Sequence, residues 1–260
     1  MAKGVVTVST ERLVERLAGN VICVNLLGRQ HNEPRRGSPS TVRGPRTCNT
    51  VAMQSSAERS ASGERIRYDQ ASLLDAVVQV FNERGYDGTR MEHLAKAAGV
   101  SKSAFYYYFT GKEELLRLAL QRATEPVAAV ILEEGSTSGS AIARLEHVLR
   151  RWIEIIVHDM AYVTLLLRVH GNTETERWAI DQRRTFDSFV DRLVVQAMNE
   201  GDLRADMDSG TVTRLILGMI NTLVEWFRAA PRDDRPIRLL SISELQDTVV
   251  GLAFDGVRSR

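Results

Sequence analysis

The chain has 260 residues, 43% of them hydrophobic and 26% charged, with a formal net charge of +1. That is an ordinary globular composition; it contains no run of about 20 apolar residues of the kind that crosses a bilayer, and cytoplasmic localisation without membrane association is the simplest expectation. Two cysteines, Cys23 and Cys48, offer no disulfide framework, and five histidines without ligand spacing offer no metal site.

The first 56 residues divide into an apolar piece, Val21 to Leu27, and an aperiodic stretch, Asn32 to Thr50, rich in Arg, Pro, Gly, Ser and Thr. The apolar piece is short, interrupted by Asn25 and too far from the start to be a signal peptide. Residues 1–56 are expected to be a disordered basic tail. One alternative is an arm that sets Arg35, Arg36, Arg43 and Arg46 against phosphate; another is that translation begins at Met53. In the latter case Ser55 to Arg67 is the N-terminal arm.

Tyr68 to Arg84 reads as a helix with Leu74, Val77, Val78 and Phe81 on its buried stripe, ended by Gly85. Thr89 to Lys112 then reads as helix, tight turn and helix. Thr89 and Glu92 have capping-box spacing, and Met91, Leu94, Ala95 and Ala98 recur at helical spacing. Gly99 suits a left-handed stop, with Val100 plugging the turn. Ser101 suits the N-cap of a short helix on which Phe105 and Phe109 face inward, one turn apart. Lys102, Ser103, Tyr106 and Tyr107 fall on its polar side. Lysine neutralises phosphate, hydroxyls bond phosphate or base edges, and small residues at Ser103 and Ala104 let the backbone approach a groove.

This stretch resembles the helix-turn-helix of the TetR (tetracycline-repressor-like) family. The residues that carry the resemblance are Thr89, Leu94-Ala95, Ala98-Gly99-Val100-Ser101, the aromatic run Phe105 to Phe109, and Lys112-Glu113. It implies a DNA-binding head over about 57–115, touching DNA through Thr89, Ser101, Lys102, Ser103, Ala104, Tyr106, Tyr107, Tyr108 and Lys112.

Lys112 opens a long helix in which Pro126 is expected to cause a kink or break. Gly135 to Gly139 reads as a linker: it superficially resembles a nucleophile elbow, but Thr137 is central and no strand precedes it. Helical stripes follow: Ile142, Leu145, Leu149, Trp152, Ile153 and Ile156; Val163 to Leu167; then Phe186, Phe189, Val190, Leu193, Val194 and Ala197 on a helix from about Thr175 to Asn199, closed by Gly201. Val212, Leu215, Ile216, Met219, Ile220, Leu223 and Phe227 form the most regular stripe. Pro231 to Pro236 is a loop, and Leu245, Val249, Leu252 and Gly256 mark a last helix. No alternating strand pattern occurs, so the fold is expected to be all-α.

The family resemblance implies that residues 116–260 form a larger helical domain with two tasks: a cavity for a small inducer and a homodimer interface made by the last two helices. Trp152, Phe186 and Met219 are candidate cavity lining; Arg168, Trp178 and Arg184 are candidate polar or amphipathic contacts. Glu225 to Arg228 and the proline loop resemble a tail of TetR members that answer to fatty acyl or sterol-derived coenzyme A thioesters. The expected function is a ligand-responsive dimeric repressor on a palindromic operator, released by a hydrophobic or acyl-CoA-like molecule. A constitutive DNA-binding interaction protein is one alternative. A helical enzyme is another, but no phosphate loop, nucleophile elbow or paired carboxylates support it, and no cofactor or metal is implied.

Overall fold

The computed structural model describes residues 69–227 and 240–258. The tail 1–56, Met53, the arm up to Arg67, both cysteines and the Pro231–Pro236 loop lie outside the described residues. Within them the chain is all-α. The order is α1 (Gln70–Arg84), α2 (Met91–Ala97), α3 (Lys102–Tyr108), α4 (Lys112–Leu132), α5 (Glu134–Thr137), α6 (Ala141–His158), α7 (Met160–Arg168), α8 (Glu174–Glu200), α9 (Ser209–Asn221), α10 (Leu223–Trp226) and α11 (Ile242–Val257). Among the described residues the only extended pairing is one isolated bridge, Leu203 to Arg258.

Local chemistry sets the head. Asp69 caps α1 by accepting from the amides of Ala71 and Ser72, and Gly85 closes it at φ +74°, a conformation glycine enters without a Cβ penalty. After α2, Gly99 at φ +69° lets Val100 N–H reach Ala95 O at 3.1 Å and Gly99 N–H reach Lys96 O at 3.2 Å, the paired bonds of a Schellman stop. Ser101 then caps α3 by accepting from Ala104 N–H at 3.2 Å. Phe105 and Phe109 are fully buried, their rings 5.2 Å apart.

Four expectations need correction. Arg90, not Thr89, stands at the N-cap of α2; Thr89 is buried, and its hydroxyl donates to Gly85 O at 2.7 Å, so the turn after α1 takes the group that spacing assigned to a cap. Helix α4 continues through Pro126, because Ala123, Thr124, Val127, Val130 and Ile131 are buried around it and packing outweighs the lost donor. The Gly135–Gly139 linker begins within a helical turn, α5, whose buried Ser136 hydroxyl donates to Val130 O. The single helix expected through Phe227 is interrupted at Thr222. There the hydroxyl donates to Met219 O at 2.7 Å and accepts from Trp226 Nε1 at 3.3 Å, a side chain competing with the backbone ladder. Leu215 and Leu252, on the apolar stripes of α9 and α11, are 69% and 67% exposed.

The apolar residues form two clusters. One joins α1, α2, α3 and the first half of α4 to Tyr162, Leu165, Leu166 and Ala179 from α7 and α8. The other joins the rest of α4 to α6, α8, α9 and α11, and includes Val163. Helix α7 therefore contributes to both. Polar contacts fix it against α1: Tyr162 Oη donates to Asp75, Arg122 bridges Asp75 and Asp159, and Asn82 Nδ2 donates to Ala161 O at 2.8 Å.

The end of α7 is built by α8. The amides of His170, Gly171 and Asn172 all donate to Glu176 Oε2, at 3.2, 2.8 and 2.8 Å. His170 and Gly171 would have bonded Leu166 O and Leu167 O had the helix continued; those carbonyls instead accept from Arg183 Nη1 at 3.3 and 3.4 Å. Glu176 is buried, 4% exposed, so its loss strands three donors. Glu176→Ala is expected to cost about 3 kcal/mol, read as a lower urea midpoint with an unchanged m-value.

Candidate nucleic-acid interface and ligand cavity

On α3 the buried phenylalanines turn the other side chains outward. Ser101, Lys102, Ser103, Tyr106 and Tyr107 are exposed, Tyr107 at 81%. Tyr108 is half-buried and meets the Tyr107 ring edge-on at 5.4 Å, and Ala104 is half-buried beside the core. Ser101 Oγ and Ser103 Oγ lie 3.2 Å apart. Lys102 Nζ pairs with Glu92 Oε1 of α2 at 2.7 Å; the hydrogen bond and opposite charge hold Glu92 below its ordinary carboxylate range and Lys102 above its ordinary range. A hydroxylated, aromatic, singly basic surface on one short helix is thus presented as a unit.

Two other DNA-binding candidates are engaged inside the head. Thr89 is buried in the turn after α1. Lys112 is half-buried, its Nζ donating to Tyr86 O at 2.8 Å and lying 4.1 Å from the Tyr86 ring centroid. Glu92, read from the sequence as the capping-box partner of Thr89, was not recognised as the partner of Lys102. Its signal was a first-turn acid of α2 ten residues before Lys102, a separation that only the tight turn converts into contact.

A narrow cavity of about 20 Å³, room for about one water, lies among α4, α6, α7, α8 and α9. Val127, Ile131, Trp152, Leu166, Phe186 and Leu217 supply its apolar wall, and Gln182, Arg183, Asp187 and Asn221 its polar end. Trp152 and Phe186 stand 5.5 Å apart, centroid to centroid, and Trp152 Nε1 donates to Asn221 Oδ1 at 2.9 Å. Burial pushes the Asp187 carboxyl above its ordinary range, only partly opposed by the Arg183 charge. Arg183, Asp187, Leu217 and Asn221 also line a larger open groove that carries Arg168, Arg184 and Arg214, so the groove is the cavity's mouth.

The structure brings Trp152 and Phe186 together in the cavity and places the other four candidates elsewhere, Arg184 in the same groove as Arg168. Arg168 is at the mouth, paired with Glu225 at 3.2 Å. Trp178 packs against the head cluster, with the Arg117 guanidinium 5.9 Å from its ring centroid. Met219 lines a separate apolar groove between α9 and α11 with Leu215, Ile216 and Ala253. The sequence reading missed Gln182, Arg183, Asp187 and Asn221. For Gln182, Arg183 and Asp187 the visible signal was polar residues around Phe186 on one helix, which a solvated helix face produces equally well; Asn221 ends the apolar stripe of α9.

Among the described residues no cluster of His, Cys, Asp and Glu could hold a metal ion, and no helix is long and apolar enough to cross a membrane.

The family described as bacterial regulatory proteins, tetR family, matches residues 73–119, and the tetracyclin repressor-like C-terminal domain matches residues 118–257. The chain belongs to the TetR family of transcriptional regulators. It is a helix-turn-helix DNA-binding regulator rather than an enzyme. Among solved structures it is similar to SCO3833, a TetR-family member from Streptomyces coelicolor A3, at 50% identity and a TM-score of 0.66, covering 72% of this chain and 91% of that one. The fold is also that of AibR, solved in complex with isovaleryl coenzyme A and operator DNA, at 22% identity and a TM-score of 0.59 over 71% of this chain and 97% of that one. Among curated proteins it is 23% identical over 200 residues to the fatty acid metabolism regulator protein of Bacillus subtilis, covering 76% of this chain and 98% of the relative.

For this TetR-family head, Lys102→Ala is expected to weaken binding to a DNA fragment selected by the wild-type protein by about tenfold. Glu92→Gln, which frees the ammonium, is expected to tighten it. Gel shifts on both, with circular dichroism to check folding, measure this; equal affinities would remove Lys102 from the contact.

Proposed function

We propose that this protein is a dimeric repressor that holds a palindromic operator through two copies of α3 and is released by a fatty acyl coenzyme A thioester. The head spans about 57–115 and the ligand and dimer body 116–260. Ser101, Lys102, Ser103, Ala104, Tyr106, Tyr107 and Tyr108 face the DNA. One observation carries the ligand class: an apolar cavity continuous with a groove bearing Arg168, Arg184 and Arg214. An acyl chain needs the first, and the phosphates of coenzyme A need the second. The fatty acid regulator of Bacillus subtilis and the isovaleryl coenzyme A complex of AibR support the same class. Release follows only if the ligand binds the two conformations unequally.

The dimer is argued from exposed apolar surface. Leu215 on α9 and Leu252 on α11 are the most exposed leucines among the described residues, and the groove between these helices is apolar. An apolar patch of this kind is covered most simply by its own symmetry mate, which also supplies the second recognition helix that a palindrome needs.

Two measurements test this reading. Sedimentation is expected to give a dimer at micromolar concentration for the wild type and a monomer for Leu215→Glu; a monomeric wild type would remove the paired-helix mechanism. Coenzyme A thioesters from two to eighteen carbons, titrated against the selected DNA complex, are expected to include some that dissociate it. A complex indifferent to the whole series, free coenzyme A included, would reject the ligand class.

A further inference from the structure

Arg183 is the cationic side chain among the described residues that line the enclosed cavity, and it has no counter-charge within 4 Å. Asp187, one turn on, lines the same wall; its buried carboxyl is shifted toward the neutral form and is a poor partner. The guanidinium is instead held by one nitrogen, Nη1, shared between Leu166 O at 3.3 Å and Leu167 O at 3.4 Å. Both bonds are long for a charged donor, which ordinarily closes to about 2.7–2.9 Å on an oxygen that carries charge.

Those two carbonyls are the orphaned acceptors at the end of α7. Their ordinary partners, the amides of His170 and Gly171, are occupied by Glu176. Immediately beyond them stands Arg168, whose Nη1 donates to Asn82 O at the end of α1 and whose Nη2 pairs with Glu225 of α10. The last turn of α7 is therefore tied on one side to the cavity, through Arg183, and on the other to the first helix of the DNA-binding head.

We propose that Arg183 senses the ligand: an acyl oxygen, thioester carbonyl or carboxylate, entering the cavity captures its guanidinium, and the freed Leu166 and Leu167 carbonyls loosen the end of α7 that positions α1. This rests on the ligand-responsive reading above and adds the residue that couples the two sites. The apolar part of the wall, which includes Val127, Ile131, Phe186 and Leu217, suits the chain that follows the acyl oxygen. Arg183 is a positioning residue for the head and a binding residue for the ligand. Arg204, which is exposed, pairs with Asp206 and lies outside both the cavity and the groove, serves as the control.

The test uses the full chain and a genomic DNA fragment selected by the wild type. Arg183→Met keeps the stem and removes the donors. It is expected to weaken DNA binding without ligand by roughly tenfold, within the usual range of couplings, while melting cooperatively, and Arg204→Met is expected to match the wild type. Decanoyl-CoA and decanoic acid are the probes. A wild type answering the thioester alone identifies the carbonyl as the captured oxygen, one answering the acid identifies the carboxylate, and in either case Arg183→Met should no longer respond. Arg183→Met with wild-type affinity and wild-type response overturns the proposal. A wild type that answers neither probe rejects the acyl reading, yet the affinity of Arg183→Met without ligand still decides whether the clasp positions the head. If Arg183→Met does not melt cooperatively, hydrogen exchange of amides 163–172 in Arg183→Lys carries the test: faster exchange than wild type supports the clasp, and equal rates overturn it.

Discussion

The architecture depends on how one short helix is stopped. At the end of α7 the backbone cannot complete its own ladder, because Glu176 has taken the amides and Arg183 the carbonyls. Both residues come from the same helix, α8, two turns apart, so a single rigid element sets where α7 ends. From that point the chain turns at Gly171, in the left-handed region at φ +88°, and enters the 27-residue helix that forms the wall of the cavity. A buried polar network of this kind is favourable only when every member is satisfied, which makes the junction all-or-none rather than gradual.

In the proposed mechanism the same junction links the cavity to the head. Helix α7 lies against α1 through Tyr162, Asn82 and Arg168, and against the body through Val163. Burial and the Asp75 carboxylate keep the Tyr162 phenol well above its ordinary range, so it remains a donor to Asp75 throughout the physiological pH range. The Arg122 guanidinium lies 4.3 Å from that ring's centroid. The first half of α7 is held to α1 by a 2.8 Å bond from Asn82 Nδ2 to Ala161 O and by the Tyr162–Asp75 bond, while its last turn is held by bonds of 3.2 to 3.4 Å.

The fold was legible in the sequence wherever local rules act alone. Gly99, Ser101 and the Phe105/Phe109 pair were readable because a left-handed stop, a cap and a one-turn spacing each demand particular residue types. Legibility failed where tertiary packing chose between local options. Thr89 and Arg90 differ by one position, and a carbonyl at Gly85 decided between them. Pro126 should end an isolated helix, but the buried residues on both sides of it hold α4 together. Leu215 and Leu252 fit the apolar stripes by period, but an apolar arc wider than one core requires cannot be divided by periodicity into buried and exposed members. Of the ligand candidates, Trp152 and Phe186 were found as apolar residues of one stripe each. Arg183 and Asp187 were not, since charged residues on a helix carry no sequence mark that distinguishes a cavity wall from solvent.

The core of the head is not closed by the head's own residues. Tyr162, Leu165, Leu166 and Ala179 complete the cluster around Phe81, Leu94 and Phe105, although they lie more than fifty residues further along the chain than Phe105. A head excised after α4 would expose that apolar surface to water, with the cost of each uncovered side chain. The unit that can be exchanged between relatives without loss of stability is therefore not a bead on a string. A chimaera joining this head to another body must also carry the matching face of α7, and divergence of the two parts is constrained to proceed together.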